Sequence, residues 1–293
     1  MAKLLLGKEV SDALAEQLKN RAEALKKKNV EPTLAIIRLG ENPGDLSYEK
    51  GARSRAMALG VKVYTVDLPK SISAEQLIRV IEDLNERSDI HGVLMFRPLP
   101  EHLAHREREI CNCLKPEKDM DGMTDLSAAG VYTGQGLGFP PCTAAACMEI
   151  LDHYGIDPAG RNVAVLGRSL VIGRPVAMML LERNATVSIL HTKTRDAAAH
   201  IAEAEILICA AGRKNLVTGD MVRPGQTILD VSMNWDPRKV TAKGNGGMVG
   251  DCAFAEVEPI VTAITPVPGG VGAVTSTVLM KHVIQAAENQ SRK

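Results

Sequence analysis

Over the first hundred residues, short apolar stretches of strand type alternate with stretches whose apolar residues recur at helical spacing. The strand-type stretches are TLAIIRLG, VKVYTVDL and HGVLMF, and the helical ones cover residues 7–28, residues 52–59 and AEQLIRVIEDLNER. Strands and helices that take turns along a chain are typical of a parallel sheet with helices packed on its faces. The sequence therefore predicts an α/β fold.

A second block of the same kind begins near residue 143. Its strand-type stretches are NVAVLG, TVSIL, ILICAAG and QTILDV. The intervening polar, turn-rich segment predicts a crossover between two domains, with the boundary within residues 123–142. The last helical stretch, TSTVLMKHVIQAAENQ, has no strand after it and is expected to return to the first domain. We predict one domain of residues 1–138 plus 273–293 and a second of residues 139–272.

Charge and cysteine content narrow the classes of function. The 293 residues carry 35 basic and 35 acidic side chains, so the net charge favours neither nucleic acid nor an anionic membrane, and we expect a small-molecule ligand. The six cysteines form no CxxC pair, so we expect buried free thiols and no metal site. No apolar run reaches the length of a signal h-region or a membrane span, which predicts a cytoplasmic location.

The stretch VAVLGRSLVIGRP is typical of a nucleotide-binding turn. A strand runs into Gly167, and Gly173 opens a helix, so backbone amides can approach a phosphate group. The next strand ends in His191 and Thr192, with no carboxylate until Asp196, where an NAD-binding domain usually places an acidic residue. These residues and Arg168 favour NADP over NAD. The alternatives are a tight turn without ligand and a solvated loop.

Two further segments carry candidate chemistry. PEKDMDG brings Asp119 and Asp121 together on a turn, which suits a metal, an acid and base pair, or simply a solvated turn. ITPVPGGVG combines prolines that restrict the chain with glycines that let a flat ligand approach the backbone. We interpret the second segment as a ligand-binding loop.

Taken together, these motifs resemble the methylenetetrahydrofolate dehydrogenase/cyclohydrolase family. The resemblance rests on SYEKGARSR, GVLMFRPLP, PEKDMDG, VLGRSLVIGRP, ILHTKT and ITPVPGGVG, in this order, and covers nearly the whole chain. It implies a Rossmann-type NADP-binding domain and an α/β folate-binding catalytic domain, with a cleft between them. It also implies a homodimer and a role in one-carbon metabolism, with a reduced folate as substrate.

The resemblance assigns roles to individual residues. Tyr48 matches the tyrosine that stacks on the folate and Asp121 the aspartate that holds its pterin end, so both are candidate catalytic and substrate-binding residues. The loop at residues 266–272 matches the wall that closes over the substrate, with candidates Pro268, Gly269 and Gly270. The candidates around the cofactor are Gly167, Arg168, Ser169, Gly173, His191, Thr192 and Ser232.

The sequence departs from the family pattern at two positions. The family most often has a lysine four residues after the tyrosine and a glutamine before PLP, where this chain has Ala52 and Phe96. Lys50 lies on the opposite helical face, and Arg53 and Arg55 stay protonated and cannot act as a base. Arg97, next to Phe96, is expected to face away if the strand alternates. We therefore expect the dehydrogenase to be retained and the cyclohydrolase to be weak or rerouted. The alternatives are another NADP-dependent α/β dehydrogenase and a catalytically silent nucleotide-binding protein.

Overall fold

The computed structural model describes residues 1–241 and 244–291, which form two compact units. Unit 1 consists of Met1–Asp12 and Thr143–Thr275, and unit 2 of Ala13–Cys142 and the chain from Ser276 onward. The units differ from the expected division mainly at the N-terminus, which the sequence interpretation assigned to the first domain. Lys3 and Leu4 pair in parallel with Ala263 and Ile264, so the first residues add a strand to the sheet of unit 1.

The described residues contain the following regular elements. The helices are α1 (Gly7–Lys26), α2 (Pro43–Leu59), α3 (Ala74–Glu86), α4 (Glu107–Asn112), α5 (Asp125–Thr133), α6 (Cys142–His153), α7 (Gly173–Glu182), α8 (Ala197–Glu203), α9 (Phe254–Val257) and α10 (Thr275–Gln290). The strands are β1 (Lys3–Leu4), β2 (Thr33–Leu39), β3 (Lys62–Leu68), β4 (Gly92–Met95), β5 (Asn162–Leu166), β6 (Thr186–Leu190), β7 (Ile206–Cys209), β8 (Thr227–Asp230), β9 (Asn234–Thr241), β10 (Gly244–Val249) and β11 (Ala263–Ile264).

Unit 1 is built on a parallel sheet with strand order β1-β11-β8-β7-β5-β6. Strands β6 and β7 flank β5 on opposite sides, which creates a topological switch point at its carboxyl end. Ligands of open α/β sheets bind at such a point. An antiparallel pair, β9 with β10, stands outside this sheet and was not predicted from the sequence.

Unit 2 has a three-stranded parallel sheet with order β3-β2-β4. The middle strand, β2, is buried along nearly its whole length, as expected for a strand covered on both faces. The hydrophobic core of unit 2 includes Ile37, Leu77, Ile81 and Ile110. The polar segment after β4 contains the short helices α4 and α5, which its turn-rich composition did not indicate.

Helix α2 begins nine residues earlier than the predicted helix. Asn42 accepts a hydrogen bond from Gly44 N at 2.8 Å, and Pro43 occupies the first turn, where its missing N–H costs nothing. Gly60 ends the helix with φ of 71°, a left-handed conformation that favours glycine. This early start places Tyr48 within the helix instead of in a loop before it.

No helix in residues 1–241 and 244–291 is long and apolar enough to cross a membrane.

Candidate functional site

The turn after β5 requires both of its glycines. Gly167 has φ of 123°, and a side chain there would collide with the carbonyl oxygen of Ala210 at the end of the neighbouring strand. A side chain at Gly173 would run into the carbonyl of Gly167. The two residues let the chain leave β5, cross the edge of the sheet and enter α7 in a close-packed turn.

The hydroxyl of Ser169 binds backbone amides at the start of the helix that follows this turn. Its Oγ accepts hydrogen bonds from Ile172 N at 3.1 Å and Gly173 N at 3.4 Å. A serine oxygen in this place satisfies amides that an α-helix otherwise leaves without a partner. A ligand phosphate would therefore meet a helix start already organised by the serine.

A pocket of about 440 Å³ opens at the carboxyl ends of β5, β6 and β7. Five of the seven predicted cofactor residues line it, namely Gly167, Arg168, Ser169, His191 and Thr192. The other two are not among its lining residues: Gly173 packs on Gly167, and the hydroxyl of Ser232 accepts from Gly212 N at 3.0 Å. Arg213 also lines the pocket, and the sequence interpretation missed it.

A signal for Arg213 was present in the sequence. Two strand-type stretches end in a glycine followed by an arginine, VLGRS at Arg168 and AAGRK at Arg213. Because β5 and β7 are adjacent and parallel, these two arginines follow neighbouring strand ends. The repeated pattern indicates a cationic pocket once the pairing of the strands is known.

The loop after β6 is organised by hydrogen bonds of His191, one of the predicted cofactor residues. His191 Nδ1 accepts from Lys193 N at 3.1 Å, and Thr194 Oγ1 accepts from His191 N at 2.9 Å, which holds the loop in shape. The first carboxylate, Asp196, accepts from Ala199 N at 3.3 Å and caps α8. A carboxylate used as a helix cap is not placed to hold a ribose hydroxyl, as the acidic residue of an NAD site does.

The backbone of the loop after β7 is held by one buried carboxylate. Asp251 accepts from Ala211 N at 2.6 Å, Gly212 N at 3.2 Å and Arg213 N at 2.8 Å. It also accepts from Asn234 Nδ2 at 3.1 Å and is completely buried. Three successive amides around a carboxylate form a rigid turn, so Asp251 fixes the backbone from which Arg213 extends. No sequence motif indicated this residue.

Unit 1 also contains a cavity of about 720 Å³, larger than the pocket at the strand ends. Its lining includes Asp230, Asp236, Arg238, Cys252 and Pro266. Burial raises the pKa of Asp230 to about 6, although its oxygens accept from Asp251 N and Cys252 N. The smaller pocket is the better cofactor site because it lies at the switch point of the sheet, where ligands of open α/β sheets bind.

The glycine-rich loop of residues 266–272 belongs to unit 1. Pro268 and Gly269 are exposed, and Gly269 has φ of 106°, so this part of the loop is open to a ligand. Gly270 is buried instead, and a side chain there would meet Thr265 and the carbonyl of Pro266. Among the three predicted residues of this loop, Gly270 therefore has a packing role and the other two remain ligand-binding candidates.

In unit 2, Tyr48 and Phe96 form an aromatic pair. Their ring centroids are 5.8 Å apart with the planes at 86°, an edge-to-face arrangement. The tyrosine remains 40% exposed. Burial raises the pKa of the Tyr48 hydroxyl, and the nearby Cys142 and Asp121 raise it further. Phe96, at the position of the family's glutamine, thus contacts the candidate stacking tyrosine directly.

The position one turn after Tyr48 offers no polar group. Ala52 is 1% exposed and Lys50 is exposed on another face of α2. Arg53 is not free to substitute, because its Nε donates to Glu49 Oε1 at 2.8 Å and its guanidinium also bonds Thr65. Glu49 in turn binds Arg38. Arg53, which follows Ala52 on the helix, is therefore held in an ion-pair network.

The two aspartates of the PEKDMDG turn have different roles. Asp119 is fully buried and accepts from Met123 N at 3.0 Å and Thr124 N at 2.8 Å, so it shapes the turn. Asp121 accepts from Cys142 N at 2.9 Å and keeps further acceptor capacity. Burial raises the pKa of Asp121, while the Cys142 amide and the charge of Arg97 oppose this change.

No group of three or more His, Cys, Asp or Glu side chains in the described ranges is placed to hold a metal ion.

Comparison with known proteins assigns both parts of the chain. Residues 5–121 match the tetrahydrofolate dehydrogenase/cyclohydrolase catalytic domain, and residues 141–291 match the NAD(P)-binding domain of the same proteins. The chain belongs to the tetrahydrofolate dehydrogenase/cyclohydrolase family. Its second part is accordingly the NAD(P)-binding domain of that family, as the cationic pocket indicated.

Similar proteins cover the whole chain. The bifunctional protein FolD of Carboxydothermus hydrogenoformans is 46% identical over 288 residues, which are 98% of each chain. The crystal structure of the bifunctional enzyme FolD from Campylobacter jejuni has a TM-score of 0.92 and 36% identity, and covers 99% of both chains. The Trypanosoma brucei enzyme, solved with NADP cofactor and an inhibitor, has a TM-score of 0.90 and 32% identity over 100% of this chain and 99% of that one.

Proposed function

We propose that this chain is an NADP-dependent 5,10-methylenetetrahydrofolate dehydrogenase whose cyclohydrolase step is weak or rerouted. One observation carries the second half of the proposal: the Phe96 ring contacts Tyr48, and a buried alanine stands one turn further along the same helix. The first half is supported by membership of the family and by the cationic pocket in its NAD(P)-binding domain.

The pocket fits NADP. Gly167 lines it without a side chain, and the cations Arg168 and Arg213 suit a phosphate. Thr192 adds a hydroxyl at the end of β6. The similar Trypanosoma brucei structure contains NADP. When bound, NADP⁺ supplies the acceptor for the hydride.

The remaining requirements of the oxidation are positional. In this reaction a hydride leaves the methylene carbon of the folate, and the flanking nitrogens stabilise the cation that forms, so alignment contributes most of the catalysis. Tyr48 presents a half-exposed aromatic surface on which the substrate can stack. Asp121 offers a carboxylate to the donor groups of the pterin. None of these roles needs a lysine at position 52.

Hydrolysis of the methenyl product needs proton transfers. Water must add and lose a proton, and a ring nitrogen must be protonated as the carbon–nitrogen bond breaks. A positioned acid and base group typically contributes about 10²- to 10⁴-fold to such steps. Neither Ala52 nor Phe96 has an acid or base group, and Arg53 is held by its ion pair with Glu49. The methenyl compound is therefore the expected main product.

A product-resolved assay tests both halves. Purified protein is mixed with methylenetetrahydrofolate and NADP⁺ under conditions of slow uncatalysed hydrolysis, and NADPH, methenyl and 10-formyl products are followed separately. We expect methenyl to accumulate in step with NADPH. Absence of NADPH refutes the dehydrogenase, and prompt 10-formyl formation refutes the weak cyclohydrolase.

Variants that restore the family's lysine and glutamine test whether both residues are needed for hydrolysis. Ala52→Lys alone should recover little hydrolysis, because the aromatic ring of Phe96 cannot orient the new amine by hydrogen bonding. Ala52→Lys with Phe96→Gln should recover about 10²-fold or more. Met57→Lys, at an exposed position of the same helix, controls for the added charge. Full recovery from Ala52→Lys alone contradicts the pairing of the two losses.

We also propose that the protein forms a homodimer through the NAD(P)-binding domain and that it is cytoplasmic. Family resemblance supports the dimer, and sedimentation equilibrium of the purified protein tests it. The division into a folate-binding domain of residues 1–138 plus 273–293 and a cofactor domain of residues 139–272 stays a proposal, which limited proteolysis tests through its cleavage sites.

A further inference from the structure

The carbonyl oxygen of Met120, one residue before Asp121, receives two donors in unit 2. The Cys142 thiol donates to it at 3.3 Å, and Nδ1 of His282 lies 2.9 Å from it. A carbonyl can only accept a hydrogen bond, so Nδ1 of the imidazole carries a proton. The PEKDMDG turn is thereby joined to the first residue of α6 and to the middle of α10.

His282 is built into this place. It is 5% exposed, and its ring packs on Phe139 with centroids 5.0 Å apart. Its Nδ1 is also 3.8 Å from the Cys142 sulfur. Burial lowers the pKa of His282 to about 4, so the imidazole is neutral at pH 7. A neutral ring with a fixed tautomer supplies one directed donor without the cost of a buried charge.

Every other part of Met120 is also held. Its amide donates to Val93 O at 3.3 Å, and its side chain lies where a side chain at Gly92 would be. Asp121 itself accepts from Cys142 N. The orientation of the Asp121 carboxylate therefore depends on the peptide plane between residues 120 and 121, and the donors on the Met120 carbonyl set that plane.

We infer that His282 is a positioning residue, which fixes the Met120–Asp121 peptide so that the Asp121 carboxylate is preorganised for the reduced folate. The inference rests on the proposed function. Without the imidazole donor, a buried carbonyl loses its better partner and the peptide can rotate to find another. Substrate affinity then falls, although His282 is not assigned any contact with the substrate.

Three variants test this role. His282→Leu removes the donor and keeps an apolar side chain, whereas His282→Asn keeps a side-chain N–H. His91→Leu is the matched control: His91 is another buried histidine of unit 2, and its Nδ1 accepts from Thr33 N at 3.1 Å, at the far end of β4 from Phe96. The readouts are KM for methylenetetrahydrofolate, KM for NADP⁺, kcat, and the dissociation constant for tetrahydrofolate by equilibrium dialysis.

We expect His282→Leu to raise KM and the dissociation constant for the folate about tenfold and to leave KM for NADP⁺ within about twofold. His282→Asn should restore most of the affinity. His91→Leu should lower stability without raising the folate constants. If His282→Leu does not fold, His282→Ser replaces it with the same expectation, because serine is too short to reach the carbonyl.

The inference is overturned if His282→Leu leaves KM and the dissociation constant for the folate unchanged. It is also overturned if His91→Leu raises these two constants equally. A wild-type protein that binds tetrahydrofolate but does not oxidise methylenetetrahydrofolate refutes only the proposed function, and the binding constants of the variants still decide the role of His282. A wild-type protein that binds no reduced folate overturns both.

Discussion

The buried histidine of α10 predicts a pH dependence of stability that one substitution should remove. Burial lowers the pKa of His282 from its ordinary value of 6.5 to about 4. Above pH 6.5 the ring is neutral in both the folded and the unfolded chain, so the burial of His282 takes nothing from the free energy of unfolding. Between pH 6.5 and 4 only the unfolded chain takes up the proton, so stability is lost as the pH falls. Below pH 4 both states are protonated and the loss ends.

The size of this effect follows from the gap between the two values. The gap is about 2.5 pH units, and each unit corresponds to about 1.36 kcal/mol, so about 3 kcal/mol of unfolding free energy is lost across the window. His282 is only 5% exposed, so solvent screens little of this effect. His282→Asn retains a donor for the Met120 carbonyl but does not titrate.

The assay is urea unfolding followed by far-UV circular dichroism at several pH values between 7 and 4. The difference in unfolding free energy between wild type and His282→Asn should change by about 3 kcal/mol in favour of the variant as the pH falls. If the free energies of unfolding of the two proteins change with pH in parallel, the lowered pKa of His282 is refuted.

Three other substitutions have defined outcomes. Asp251→Asn leaves one oxygen for four donors, so the free energy of unfolding should fall by about 2–4 kcal/mol in urea titrations and KM for NADP⁺ should rise; an unchanged KM contradicts the role of this carboxylate in the cofactor loop. Arg168→Gln should lower kcat/KM with NADP⁺ about tenfold and leave that with NAD⁺ within about twofold, and equal losses contradict a phosphate contact. Glu49→Gln removes the buried carboxylate that pairs with Arg38 and Arg53 but leaves Arg38 its pair with Asp67, so it should cost about 1–3 kcal/mol in thermal or urea unfolding, with Lys50→Gln, at an exposed position, as the neutral control.

The local pattern of the sequence was sufficient for most regular elements of the two sheets. Strands β2, β5 and β7 are short, mainly apolar segments, and α3 is an amphipathic helix with the capping box Ser73–Gln76, so both kinds of element can be recognised from short windows. The helices α4 and α5 lie in polar sequence and were missed. So were β1 and β11, which are two residues long and are defined by pairing with distant strands: β1 pairs with β11, and β11 also pairs with β8.

The candidate site was predictable where a role depends on the residue type and its neighbours in the chain. Gly167, Arg168, His191 and Thr192 follow strand ends, and the carboxyl ends of parallel strands meet at one edge of a sheet. The replacement of the family's lysine and glutamine by Ala52 and Phe96 was also visible in the sequence, but the contact of Phe96 with Tyr48 needed the structure.

The sequence by itself determined an α/β chain of this family, its nucleotide-binding turn and the loss of two polar groups, because these properties are encoded in local spacing and side-chain chemistry. Only the tertiary structure decided which buried groups hold the site in place. Asp251 is 40 residues from Ala211, and His282 is 162 residues from Met120. Hydrogen bonds between such distant residues leave no periodic signal in the chain, since they form only when the folded backbone brings a donor to an acceptor in a place from which water is excluded.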